Sequence, residues 1–269
     1  MTPLQKIYKM ENFVNIPKKI FFSFFLIITM MITSTIFAST NAVKPPQNEW
    51  KHRSLFGTFD RAAAQRGFQV YKEVCSACHS LRLLSYRNLE ALGFSPEESK
   101  AIASEYVIKD GPNDEGDMFK RSGLSSDRFV SPYANEQAGR AANNGAFPPD
   151  LSLITKARVY GEDYIHGILT GYSDPPEGMT LAPGMYWNKY FPGHQIAMPP
   201  MLLENGVEFA DETEASIEQQ AYDVSVFLSW AADPHLEKRM AMGLKTVLFL
   251  LVFSILMYFV KKKVWSDIK

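Results

Sequence analysis

Cys75-Ser76-Ala77-Cys78-His79 is the stretch that decides how this chain is read. The 269-residue sequence contains two cysteines, and both are here, separated by two residues and followed at once by histidine. A C-x-x-C-H string reads as the covalent attachment site of a c-type haem. Two thiols at this spacing can reach the two vinyl groups of one porphyrin, and the adjacent His79 then offers its imidazole to the iron. Other uses of paired cysteines fit less well. A thioredoxin-like C-x-x-C needs no following histidine and usually sits after a strand. A zinc site needs two more ligands at matching spacing, and the chain has no other cysteine. A disulfide between residues three apart is strained.

Outward from the motif, Asp60 to Cys78 lacks proline. Gly67, Val70, Tyr71 and Val74 share one helical face, so a helix should deliver Cys75. Gly67 would allow a second helix to approach closely. A low-spin iron takes a sixth ligand from elsewhere, usually His or Met. The histidines available are His52, His166, His194 and His235; the methionines are Met118, Met179, Met185, Met198 and Met201. Met198 stands out because it follows Gly193 and precedes Pro199-Pro200, a stiff loop with no helical alternative. His194, four residues earlier in the same loop, is its rival. Spacing favours Met198 and leaves both open.

The formal net charge of −1 hides a pattern. Residues 1–38 carry four bases and one acid, residues 239–269 six bases and one acid, and the 200 residues between them 18 bases and 27 acids, a net of −9. Lys18-Lys19 precede an uncharged run from Ile20 to Ala38, the pattern of a secretory signal peptide over 1–38. Met240 to Val260 is a 21-residue run with one charge, Lys245. As a helix it would span roughly 31 Å, enough for the hydrocarbon core of a bilayer. Lys261-Lys262-Lys263 then predict a cytoplasmic tail over 261–269. The expected organisation is a signal over 1–38, an exported haem domain over 39–238, a transmembrane anchor over 239–260, and the tail. With a mean hydropathy of −0.14 the chain is not a polytopic membrane protein. Ser216 to Ala231 reads as an amphipathic helix with Ser216 as N-cap, Asp163 to Thr170 as a short helix closed by Gly171, and 174–200 as loop.

The text around these motifs resembles the cytochrome c1 family, the haem subunit of bc1 complexes (quinol:cytochrome c oxidoreductase), in its bacterial form. The resemblance runs over roughly residues 50–265. It is carried by Ser54 to Asp60, Arg66 to Ser80, Arg140 to Ala146, Pro148 to Ser152, Gly161 to Tyr164, Leu169 to Tyr172, Tyr190 to Gly193, Ile196 to Pro200 and Trp230 to Pro234. C-x-x-C-H alone says only cytochrome c; the Asn143 to Pro149 block and the Met198 loop specify c1.

The resemblance implies a mainly α, cytochrome c-like haem domain with long loop insertions and one C-terminal transmembrane helix. It implies one haem c on Cys75 and Cys78 with His79 and Met198 as axial ligands, which lifts Met198 over His194. Arg158 matches an arginine facing a haem propionate, and Asn143, Pro148, Pro149 and Tyr164 match haem-pocket positions. The implied role is electron transfer from the Rieske iron–sulfur protein to cytochrome c, beside cytochrome b, in a dimeric complex of the bacterial inner membrane with the haem in the periplasm. The isolated chain would be a carrier; the complex is the enzyme. No nucleic acid is involved. There are departures. Many relatives have Arg-His-Gly-Gly where this chain has Arg158-Val159-Tyr160-Gly161, and some insert a residue between the methionine and the two prolines. An anchored cytochrome c subunit of a terminal oxidase is the alternative assignment.

Overall fold

The structure is a computed structural model. It describes residues 43–54 and 56–266; the segment read as a signal peptide and the last three residues of the tail lie outside the described residues. The architecture is mainly helical, as expected. Helix α1 spans Arg61–Val70 and widens into a π-type turn over Tyr71–Cys75. Asp60 caps α1, its carboxylate accepting from the Ala63 amide at 3.2 Å. Helix α2 is Pro96–Ser104, opened by a Ser95/Glu98 capping box. Strands β1 (Val107–Asp110) and β2 (Phe119–Ser122) form an antiparallel hairpin. Helices α3 (Glu136–Ala142), α4 (Ile154–Ala157) and α5 (Glu162–Thr170) follow. The 174–200 loop carries two antiparallel two-residue strands, β3 (Tyr186–Trp187) and β4 (Gln195–Ile196), shorter than any pattern in the sequence can signal. Helix α6 is Ile217–Ala232, with Ser216 accepting from Gln219 as its N-cap, and α7 is Leu236–Val264.

The core forms where α6 is packed between α1, α4 and α5. Aromatic rings fill it. Phe68 meets Phe94 edge-on at 5.5 Å, Phe129 lies 4.4 Å from Tyr86, and Phe227 lies within 6 Å of Phe68, Tyr71 and Trp230. Gly67 explains why α1 and α6 come so close. A β-carbon there would stand 2.0 Å from the Asp223 carbonyl oxygen and 2.8 Å from Phe227 Cβ. Beside the contact, Arg66 grips the buried Asp223 carboxylate with two bonds of 2.7 and 3.1 Å and reaches Asp211 at 2.6 Å.

A second buried network ties the segment before α1 to the start of α5. The Glu162 carboxylate accepts from His52 at 2.8 Å and from Arg53 at 2.9 and 3.0 Å. Asp163 accepts from the Trp50 indole at 2.6 Å, the Asn48 amide at 3.0 Å and Arg53 at 3.0 Å. Both acids occupy the first turn of α5, where the helix dipole favours negative charge. Burial alone would lift the Glu162 carboxyl, but the bonds from His52 and Arg53 outweigh it and hold it at about 2.

Helix α7 differs from the others in that none of its residues is buried. Apolar on every side and uncharged from Thr246 to Val260, it is, among the described residues, the one helix long and apolar enough to cross a membrane. It begins four residues earlier and ends four later than the apolar run, because its first turn is tied to the domain. Glu237 accepts from the Phe59 amide at 2.8 Å and from Arg61 at 2.7 Å.

Two outcomes are expected. Gly67→Ala should lower unfolding stability by about 3 kcal/mol, since the added methyl meets backbone rather than a movable side chain; unchanged denaturant unfolding of the full chain would contradict the crossing. Glu162→Gln should cost about 3 kcal/mol at pH 7, the equivalent of a carboxyl lowered from 4.5 to about 2. Because the folded value is depressed, this stability is present above pH 4.5 and lost as pH falls towards 2, so the gap between variant and wild type should close over that window. Thermal unfolding followed across pH checks it.

Candidate haem site

The C-x-x-C-H segment is the continuation of α1. The π-type turn ends as Ser76 donates to the Tyr71 carbonyl at 2.8 Å, and the Cys78 and His79 amides both donate to the Cys75 carbonyl, at 3.1 and 2.9 Å. Both thiols therefore sit on one tight turn, half-buried. The Tyr71 hydroxyl donates to the His79 carbonyl at 3.0 Å, fixing the histidine backbone from the core side. Burial pushes the Cys75 thiol up to about 12, so it is no low-pKa redox thiol of the thioredoxin kind.

The imidazole is oriented by a segment 70 residues away. His79 Nδ1 lies 2.8 Å from the Pro149 carbonyl oxygen. A carbonyl only accepts, so Nδ1 carries the proton and Nε2 keeps its lone pair, the form that binds a metal. Burial also pulls the imidazole below its ordinary value, against the opposing effects of Pro149 and Asp150, which keeps the ring neutral.

Asp150 is what puts the Pro149 carbonyl there. Its carboxylate accepts from Ser80 Oγ at 2.7 Å, the Arg82 amide at 2.9 Å and the Ser152 amide at 3.0 Å. The Leu151 amide donates to the Ser80 carbonyl at 2.8 Å, and the Leu83 amide to Ser152 Oγ at 3.1 Å. Burial would raise the Asp150 carboxyl, but the donors from Ser152, Arg82 and Ser80 prevail and hold it below the usual range. No spacing rule pointed to Asp150 or Ser152, whose side chains act on backbone groups 68 and 69 residues away in sequence; Tyr71 was legible as a member of the buried helix face but not as a donor to His79.

Arg158 and Tyr164 lie together across the turn between α4 and α5. Burial raises the Tyr164 hydroxyl and the positive charge of Arg158 opposes it. Arg158 otherwise donates to the Ala157 carbonyl at 3.3 Å, and among the described residues no carboxylate pairs with it. A cleft of about 550 Å³ opens beside it, walled by Arg82, Arg128, Pro149, Ile154 and Ala157. Asn143 does not join this group: its amide nitrogen donates to Tyr133 Oη at 2.9 Å and the Gly139 carbonyl at 2.7 Å, closing α3. Pro148 precedes the Pro149 contact. Arg140 staples its own helix through Glu136 and the Gly145 carbonyl.

Met198 is half-buried two residues beyond β4, its carbonyl accepting from the Tyr172 hydroxyl at 2.9 Å. His194, the rival, takes a positive φ of 61°, stacks on Trp187 at 4.6 Å and places Nδ1 3.2 Å from the Asn188 carbonyl. Its ring is engaged in building the loop.

The chemistry at the turn fits a c-type haem: two thiols on one turn beside an imidazole with a defined tautomer. The sequence profile of the Cytochrome C1 family matches residues 50–268. The chain belongs to the cytochrome c1 family. It is 48% identical over 252 residues to a cytochrome b/c1 of Bradyrhizobium diazoefficiens, covering 86% of this chain and 37% of that longer one. It is 47% identical over 224 residues to a mitochondrial cytochrome c1 heme protein of Arabidopsis thaliana, covering 83% and 73%. It is 46% identical over 248 residues to a mitochondrial cytochrome b-c1 complex catalytic subunit of Candida albicans, covering 92% and 86%. Cytochrome c1 proteins carry a covalent c-type haem, so the family supports the reading of the two cysteines. The departure at Val159-Tyr160 lies at the surface. Val159 is 75% exposed, and Tyr160 takes a φ of 72°, rare for a bulky residue.

Proposed function

We propose that this chain is the haem-bearing electron-transfer subunit of a respiratory bc1 complex, relaying single electrons from the Rieske iron–sulfur protein to a cytochrome c. The observation that carries the reading is the His79 imidazole, held on the Pro149 carbonyl with Nε2 free, on the same turn as Cys75 and Cys78. The haem, when bound, supplies one-electron chemistry between ferric and ferrous iron. Cys75 and Cys78 would form the thioethers, and His79 and Met198 would hold the iron, so that the metal carries electrons and binds no substrate. Arg158 and Tyr164 would hold a propionate. Pro148, Pro149 and Asn143 shape the wall and the loop that closes it.

In this reading the chain is a carrier and the complex is the enzyme, with cytochrome b and the Rieske protein as neighbours and two copies of the complex forming a dimer. The signal over 1–38 exports the haem domain over 39–238. The anchor over 239–260 holds it to the bacterial inner membrane, on the periplasmic side. Lys261 to Lys263 keep the 261–269 tail in the cytoplasm.

The acidic domain is suited to a basic electron carrier. Glu204, Glu208, Asp211, Glu212, Glu214 and Glu218 are all exposed. Three have partners: Asp211 pairs with Arg66, Glu218 with His166, and Glu204 accepts from the Ile217 amide. Among the described residues Glu208, Glu212 and Glu214 pair with no cation, and they are the carboxylates free to steer a partner. A second cluster, at Asp110, Asp114, Glu115 and Asp117, has its first member paired with Arg121.

Met198→Leu should lower the haem potential and open the reduced iron to carbon monoxide. An unchanged spectrum and potential would move the ligand elsewhere in the loop. Replacing Glu208, Glu212 and Glu214 by glutamine should slow second-order electron transfer to a basic cytochrome c several-fold at low salt, with the potential unmoved. The wild-type rate should fall steeply as the Debye length shrinks from about 10 Å at 0.1 M to about 3 Å at 1 M. A rate indifferent to salt and to the three substitutions would sink the docking surface and leave the haem site standing.

A further inference from the structure

The loop that carries Met198 is fastened to the end of α5 by an arrangement independent of the thioether itself. Asn188, fully buried, is its knot. Its Nδ2 donates to the Ile168 carbonyl at 2.8 Å, and its Oδ1 accepts from the Tyr190 and Phe191 amides at 3.1 and 3.2 Å. The Asn188 amide donates to the His194 carbonyl at 2.9 Å, closing the loop on itself, and the Lys189 amide donates to the Gly171 carbonyl at 2.9 Å. Gly171 is needed for that approach, since a β-carbon there would stand 2.6 Å from Tyr190 Cδ2. Tyr172, next in sequence, pairs with Asn188 in an isolated antiparallel bridge.

These bonds secure the loop as far as β4, and Met198 lies beyond it. Pro199 and Pro200 have no amide hydrogen, so the two residues after Met198 cannot donate a bond back to the fold. What remains there is the Met198 carbonyl, and the Tyr172 hydroxyl donates to it at 2.9 Å. Burial, with a smaller contribution from Tyr186, raises the Tyr172 hydroxyl well above its ordinary value, so it stays a donor at every physiological pH.

We propose that Tyr172 is a positioning residue for the axial thioether: its hydroxyl holds the backbone of Met198 against the end of α5 and so keeps the sulfur on the iron. The proposal rests on Met198 being the ligand. It separates two roles within one side chain. The Tyr172 ring belongs to the packing of the loop, whereas the hydroxyl acts on the ligand residue alone. Removing only the oxygen should therefore change the iron–sulfur bond and leave the fold in place.

The test uses the full chain in its purified, haem-loaded membrane complex. Tyr172→Phe should raise the fraction of haem lacking the methionine bond about tenfold, the effect of losing one neutral hydrogen bond. The near-infrared band of methionine-ligated ferric haem should weaken and disappear at a lower pH than in wild type. The haem potential should fall, and the reduced haem should bind carbon monoxide faster. Placing 4-aminophenylalanine at 172, which keeps a donor at the same ring position, should restore all four readouts. Tyr222→Phe removes a hydroxyl that contacts the Glu49 carbonyl at 3.4 Å and should change none of them. If Tyr172→Phe fails to assemble, 4-fluorophenylalanine fills the space of the oxygen without donating and carries the same expectation. Donor-free variants with wild-type band, potential and carbon monoxide binding would overturn the proposal. A band that survives Met198→Leu would instead overturn the ligand assignment beneath it.

Discussion

The crossing of α1 and α6 at Gly67 is the constraint from which the rest of the molecule follows. With no side chain at 67, the two backbones approach until the Asp223 carbonyl occupies the place of a β-carbon. That contact buries Asp223, and a buried carboxylate requires a partner, which Arg66 supplies from the neighbouring position on α1. The same crossing stacks Phe68 and Tyr71 against Phe227, so the helix leading to Cys75 is aligned by the aromatic core before any cofactor is involved. The direction in which the C-x-x-C-H turn leaves the core is thus decided eight residues upstream.

From that turn outward, the two candidate ligand residues are held on different principles. The His79 side is local and heavily cross-braced. Tyr71 holds the residue's carbonyl, and Asp150 draws the Pro149 carbonyl onto Nδ1 through three donors. The Met198 side depends on a long loop whose order comes from one buried asparagine and one hydroxyl. The difference matches the chemistry of the ligands. An imidazole must be presented in one tautomer and one ring orientation, which takes a directed hydrogen bond. A thioether has no proton to place and a flexible stem, so its positioning falls to the backbone that carries it.

Much of this was legible in sequence, and the limits are instructive. The helix into Cys75, the close approach at Gly67, the Ser216 cap, the short helix ending before Gly171 and the apolar anchor all rest on local signals: periodicity, caps, glycine and proline. Each appears in the structure. Helix α6 was only half legible. Its apolar stripe of Ala221, Val224, Leu228 and Ala231 is buried, but so are Gln220, Asp223 and Ser225 on its other faces. A helix surrounded on several sides has no solvent face, and polar residues in it look exposed until their partners are known. Asp150, Asn188 and Tyr172 were hidden for the same reason. Asp150 and Tyr172 stood in the text resembling the family and Asn188 did not, yet what each does depends on a backbone group brought near only by the fold.

The acidic and basic residues at the base of the domain link the site to the anchor through the same pair of helices. Helix α6 ends at Ala232 and α7 begins at Leu236, with Pro234 between them preventing one continuous helix. A three-residue hinge of this kind would swing freely if nothing braced it. Here Asp233 accepts from Arg239 at 2.9 Å and pairs with Lys156 at 3.5 Å, while Glu237 takes the Phe59 amide and Arg61 from the start of α1. The anchor's first turn is therefore bonded to the N-terminal end of α1 as well as to the C-terminal end of α6. Those are the two helices that cross at Gly67. A rigid path consequently runs from the membrane-entering turn, through the crossing, to Cys75 and His79. The junction therefore couples the direction of the apolar helix to the direction of the C-x-x-C-H turn through side chains of both crossing helices.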